Sequence, residues 1–135
     1  MLINFSNHPS DLWGEQQRRE AEKRYGSIVD IPFPAVDPQT DEKEVLDLAE
    51  DYFEQVTAPL NSCAAEPKPH AVHIQGEFTL VFALVTMLKA SGITCLASTT
   101  RRVVEEQPDG TKVSHFDFIR FREYVFPDLF QNNRE

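Results

Sequence analysis

Apolar residues in this chain gather into short runs separated by longer stretches of helical spacing, the alternation that builds a layered α/β domain. Leu2, Ile3, Asn4 and Phe5 form the first run, and the polar residues from Ser6 to Asp11 make a turn in which Ser10 or Asp11 can cap a helix. Residues 12–25 read as a charged helix with Leu12, Trp13, Ala21 and Tyr25 toward a sheet and Gly26 as its stop. A second strand over 27–34 must end near Pro32, because proline withdraws a ladder donor. Residues 35–40 make a polar loop, a plain connection or a lid. From Asp41, the positions Val45, Leu48, Ala49, Tyr52, Phe53 and Val56 repeat with the helical period, and an acidic outer face carries Asp41, Glu44, Asp47, Glu50, Asp51 and Glu54. A loop containing Pro59, Pro67 and Pro69 is predicted over 58–69.

The organising stretch follows. Ala71, Val72, His73, Ile74 and Gln75 form an apolar strand that passes through Gly76 into a helix over 78–90. A glycine here can adopt backbone angles closed to other residues, and the first N–H groups of the helix favour a phosphate or carboxylate. The same residues also suit an ordinary turn whose glycine only permits close packing. The 78–90 helix is apolar nearly all round, which predicts burial between the sheet and a partner subunit, or beneath the loops and C-terminal segment. Ser91 and Gly92 close it, and a parallel strand over 93–102 runs toward a hairpin turn at 105–112 built on Asp109-Gly110. The returning strand over 113–121 places Phe116 and Phe118 on one face and Ile119 and Phe121 on the other, so it is expected to be no exposed edge. Arg120 and Arg122 share a face. The predicted fold is a Rossmann-like three-layer α/β domain over 1–126, with a mainly parallel sheet and a C-terminal antiparallel hairpin strand, followed by a loosely held tail over 127–135.

Composition narrows the function. The 135 residues are 41% hydrophobic and 26% charged, which fits one domain with a real core. Twenty-two acidic against 13 basic residues give a net charge of -9, against broad affinity for duplex nucleic acid or an anionic membrane. Two cysteines without framework spacing suggest a reducing cytoplasm, and no apolar run reaches the length of a membrane span. The four histidines are scattered and supply no metal-ligand cluster, so no metal and no cofactor is expected; His73 and His115, in strands, read as structural.

In an open α/β sheet, ligands bind beyond the carboxyl ends of the strands. That places Ser6, Asn7 and His8 after the first strand, Gln75, Gly76, Glu77 and Phe78 after the third, and Ser98, Thr99, Thr100, Arg101 and Arg102 on the fourth at one edge, with Arg120 and Arg122 on the hairpin. Amides, hydroxyls, helix N–H groups and guanidinium groups together suit a phosphodiester and a nucleobase. For any single arginine a surface salt bridge to the abundant acidic residues is the simpler role, and Glu77 repels a phosphate unless it meets a base edge, a ribose hydroxyl or a cation.

At these residues the chain resembles a family. Val72-His73-Ile74-Gln75-Gly76-Glu77-Phe78, the run from Ala97 to Val104, and Phe121-Arg122-Glu123-Tyr124 are similar to the IQG-D/E-F, A-T-T-x-R and FR-x-Y segments of small stand-alone CRISPR-associated proteins grouped with the ring nucleases. The opening Asn4-Phe5-Ser6-Asn7-His8-Pro9 resembles their F-S-H start with Asn7 inserted. The resemblance implies a CARF-like homodimer that binds a cyclic oligoadenylate, the second messenger of type III CRISPR defence, and cuts it without metal, cyclic tetra-adenylate being the expected ring. Attack by a ribose 2′-hydroxyl on the adjacent phosphorus would then use His8 as base, Arg101 to stabilise charge and Glu77 as a further proton-transfer group. Ser6, Asn7, Gln75, Gly76, Phe78, Thr99, Thr100, Arg102, Arg120 and Arg122 would hold the ligand. The alternatives are a module that senses or sequesters the messenger without cutting it, and an interaction protein whose third helix only makes a dimer.

Overall fold

The computed structural model describes residues 1–128. Along the chain come β1 (Leu2–Ser6), a single 3-10 turn (Ser10–Leu12), α1 (Glu15–Tyr25), β2 (Ile28–Pro32), α2 (Glu42–Ser62), β3 (Ala71–Gln75), α3 (Phe78–Ala90), β4 (Cys95–Glu106) and β5 (Lys112–Glu123). The strands form one sheet in the order β2-β1-β3-β4-β5, with β1 to β4 parallel and β5 antiparallel to β4. This is the three-layer α/β architecture expected from the alternation of strands and helices. The tail expected over 127–135 lies, from residue 129 on, outside the described residues.

Period-two alternation divides the sheet between two cores. Ile3, Phe5, Val72, Ile74 and Cys95 face α2 and α3, where they meet Val56, Leu60, Val81, Leu84 and Leu88. Leu2, Ala71 and Leu96 face the other way, onto Ala21 and Tyr25 of α1 and onto Phe118 and Phe121. Asp41 starts α2 with a capping box, its carboxylate accepting from Glu44 N at 2.9 Å while Glu44 Oε2 accepts from Asp41 N at 3.3 Å. Gly26 ends α1 at φ 85°, a conformation that costs a glycine little.

Three local expectations give way to tertiary structure. α1 begins at Glu15 and not at Leu12, which is 75% exposed. The segment before it is tied elsewhere: Ser10 donates to the Asp30 carboxylate through both N and Oγ, and Trp13 Nε1 donates to the His8 carbonyl. α2 runs through Pro59 to Ser62, because Val56 and Leu60 continue its buried stripe and hold the last turn on the core. β5 is an edge strand, contrary to expectation. A bulge between the Thr99–Arg120 and Thr100–Phe118 pairs leaves Ile119 unpaired and breaks the alternation, which turns Phe118 and Phe121 onto the same core with their rings 5.0 Å apart. In the single chain α3 is buried on one side and leaves Phe78 88% and Phe82 76% exposed on the other.

Two features of the sheet position the site. The chain leaves β1 toward β2 on one side and later passes from β3 to β4 on the other, so the sheet reverses its winding between β1 and β3 and opens a crevice at their carboxyl ends. Only Cys95 and Leu96 of β4 pair with β3, so the rest of β4 and β5 continues as a two-stranded ribbon beyond that edge.

Candidate functional site

A cavity of about 340 Å³ opens on the α1 face of the sheet at this edge. Its wall is formed by His8 after β1, the loop and first turn of α1 from Leu12 to Gln17, His73 and Gln75 of β3, Ser98 and Thr100 of β4, and Phe116 and Phe118 of β5. The ring of Trp13 meets that of His73 edge-on at 5.3 Å. The His8 carbonyl accepts from Asn4 Nδ2 at 2.8 Å and from Trp13 Nε1 at 3.1 Å, and His8 N donates to Ser6 Oγ at 3.2 Å, which anchors the backbone and leaves the exposed imidazole at the cavity rim.

Behind the wall runs a polar network whose proton positions follow from its partners. Asn4 Nδ2 donates to the His8 carbonyl and, at 2.7 Å, to Asp30 Oδ1. Both are acceptors only, so the amide has one permitted orientation and its Oδ1 faces Ser6 Oγ and His73 Nδ1, each at 2.8 Å. An oxygen facing Nδ1 requires that nitrogen to carry the proton. In the neutral ring, Nε2 is then a lone pair on the cavity side. Burial pulls the His73 imidazole down to about 4, with Gln75 opposing the shift and His8 adding to it, so the ring is neutral at pH 7. Gln75 Nε2 donates to the Ser98 carbonyl at 3.0 Å, which brings Gln75 Oε1 to 2.7 Å from Ser98 Oγ. Asp30 anchors the far end: burial alone would raise its carboxyl, but hydrogen bonds from Ser10 and Asn4, with Arg18 nearby, hold it below its ordinary value.

The residues expected from sequence separate into groups. Gln75, Thr100 and His8 line the cavity. Arg102, opposite Phe116 and two residues beyond Thr100, shares their face of the ribbon. Ser6 is buried and its hydroxyl belongs to the network. Asn7 lines a smaller hollow with Asp30 and Phe33. Thr99 and Arg101 alternate to the opposite face, and Arg120 and Arg122 pair with Thr99 and Ala97, so these four are not brought to the cavity. The expected anion cradle at α3 is already filled by the protein: the Glu77 carboxylate caps the helix, accepting from Thr79 N at 3.0 Å and Leu80 N at 2.8 Å, and hydrogen bonds from Thr79 and Leu80 hold it below its ordinary value. Gly76 is not in the left-handed region; a Cβ there would stand 2.5 Å from the ring of Phe33, so the glycine serves close packing. Phe78 points away from the sheet, on the exposed side of α3.

The family follows from comparison. A family model described as Uncharacterized protein MJ1673 family matches residues 1–122. The chain belongs to the MJ1673 family. No curated protein and no solved structure matches it. The matched residues contain every strand but the last residue of β5, and the whole cavity wall of this MJ1673-family chain.

Asn4, His73 and Ser98 are the site residues that reading by position underrated, since a histidine inside a strand is ordinarily a satisfied structural group. Their only signal in sequence is polar type at inward positions of otherwise apolar strands: Asn4 between Ile3 and Phe5, His73 between Val72 and Ile74. Among the described residues, no group of three or more His, Cys, Asp or Glu is placed to hold a metal ion. Burial pushes the Cys95 thiol up to about 12 and leaves it unreactive.

Proposed function

We propose that this MJ1673-family protein binds a cyclic oligoadenylate at the β1/β3 edge and opens the ring, lowering the messenger of type III CRISPR signalling. One observation carries the reading: the cavity sits where the sheet changes winding direction and presents amides, hydroxyls, two imidazoles and aromatic rings beside the carboxylates of Glu15 and Asp117, a set of hydrogen-bonding and stacking groups suited to a base and its ribose. The motif resemblance supplies the ligand class. In the proposed reaction the 2′-oxygen attacks the neighbouring phosphorus, the P–O5′ bond breaks, and a 2′,3′-cyclic phosphate and a 5′-hydroxyl result. His8, exposed at the rim, takes the 2′ proton, solvent water protonates the leaving 5′-oxygen, and Arg102 on the same face of the ribbon meets phosphate charge. A homodimer in the cytoplasm fits a ring ligand, whose repeated units meet the same groups from each copy. The exposed apolar side of α3, continued by Val125 and Phe126, is the surface offered to the second copy.

A second reading, a sensor or sequestering module without turnover, is favoured by the cavity lining itself. Among the described residues that form it, none is lysine or arginine to stabilise a phosphorane. Labelled cyclic tri-, tetra- and hexa-adenylate, incubated with the protein with and without chelator, separate the two. Linear or cyclic-phosphate products support cleavage; binding without product leaves the sensor; no binding removes both. A monomer by light scattering at micromolar concentration, with and without ligand, would remove the dimer.

A further inference from the structure

The hydrogen-bond account of the cavity wall does not close. Ser98 Oγ has one proton and two claimants, Gln75 Oε1 at 2.7 Å and His73 Nε2 at 3.2 Å. Turning the Gln75 amide over would relieve the competition, but its oxygen would then face the Ser98 carbonyl at 3.0 Å, acceptor against acceptor. Moving the His73 proton to Nε2 would set a bare Nδ1 against Asn4 Oδ1 at 2.8 Å, and Asn4 cannot turn because the His8 carbonyl and the Asp30 carboxylate both need its N–H groups. The shorter Ser98 contact takes the proton. His73 Nε2, in a ring only 1% exposed, is left as an acceptor without a committed donor, on the wall of the cavity.

We propose that His73 Nε2 is the acceptor through which this cavity selects a ligand carrying an O–H or N–H donor, the donor in an oligoadenylate being a ribose 2′-hydroxyl or the adenine 6-amino group. The choice of ligand rests on the functional reading above; the missing donor does not. A phosphate oxygen cannot take this position, since it would bring a second acceptor to Nε2. The charged and titratable groups that face the ring from the surrounding elements are His8 from the loop after β1, Glu15 from α1 and Asp117 from β5, with Asp30 of β2 behind Asn4. None of them is hydrogen-bonded to Nε2.

The test uses the wild-type chain labelled with nitrogen-15 in its histidines, so that no substitution disturbs the fold. Free protein at pH 7 is expected to give a pyridine-type signal from His73 Nε2 and a protonated Nδ1; a protonated Nε2 would overturn the inference whatever the ligand. Adding cyclic tetra-adenylate should move the Nε2 signal in the direction of an accepted hydrogen bond. A ring of 2′-deoxyadenosine and a ring of purine riboside, which lacks the 6-amino group, then identify the donor: one of the two should bind at least tenfold more weakly than cyclic tetra-adenylate. Equal binding of all three rings, or a ring that binds without moving the Nε2 signal, would overturn the inference and leave the functional reading standing. Failure of all three rings to bind would instead overturn the functional reading, and with it the adenylate form of this inference.

Discussion

Acidification should destabilise the protein through His73, and the size of the effect follows from its environment. The imidazole is buried at about 4 in the fold against an ordinary value of 6.5. Between those values the unfolded chain binds a proton that the folded chain refuses, so stability rises with pH there and is lost as pH falls from about 6.5 toward 4. At about 1.4 kcal/mol per unit, the full contribution is about 3 kcal/mol, and between pH 7 and pH 5 about 2 kcal/mol of it disappears. Against a typical total stability of about 5–15 kcal/mol, that is readily measured. The assay is urea unfolding at pH 7, 6 and 5 for the wild type and His73→Gln. The variant should be less stable at pH 7, because Asn4 Oδ1 loses its ring donor, but it should lack the His73 part of the decline. Carboxylates such as Asp30, whose lowered position also gives stability that is lost toward acid, titrate mainly below this window and are common to both proteins. A difference between the two proteins that stays constant from pH 7 to pH 5 would refute the claim that burial holds this ring neutral.

Gly76→Ala should cost about 1–3 kcal/mol by thermal or urea unfolding, since its Cβ would enter the ring of Phe33, and combining it with Phe33→Leu should recover part of the loss. Glu77→Ala should lower stability by about 1 kcal/mol through the lost cap of α3 while leaving ring cleavage at pH 7 within a fewfold of wild type; a collapse of turnover at unchanged stability would restore its catalytic assignment. Arg102→Ala should weaken binding of cyclic tetra-adenylate by about tenfold to a hundredfold, as a charge-assisted contact does, whereas Arg101→Ala, on the opposite face of the ribbon, should change it little; titration of both variants with labelled ring checks the order. His8→Ala should leave binding nearly intact and slow cleavage by about a hundredfold or more, and an unchanged rate would move proton transfer to another group of the cavity wall.

Local pattern was sufficient for the elements and for the sheet edge at which the cavity opens. Period-two runs around Ile3, Val72 and Cys95, the helical stripe from Val45 to Val56, the stop at Gly26 and the Asp109-Gly110 hairpin each depend on residues a few positions apart, and each is in the structure as read. Parallel strands joined by helices bring the carboxyl ends of β1, β3 and β4 together, so Ser6, Gln75 and Ser98 meet there. What tertiary structure alone decided depends on partners distant in sequence. Leu60 on the core carries α2 past a proline that ends helices by local rule, and the unpaired Ile119 turns Phe118 and Phe121 onto one core, which removes Arg120 and Arg122 from the cavity, while plain alternation along β4 keeps Thr99 and Arg101 away from it. The two roles expected at the start of α3 were filled by neighbours: Phe33 occupies the space above Gly76, and the Glu77 carboxylate takes the N–H groups left for a phosphate. Asn4 and His73, 69 residues apart, read as incidental polar positions until pairing of β1 with β3 sets Oδ1 against Nδ1. A buried polar group has meaning only through the partner that meets it, and strand order chooses that partner.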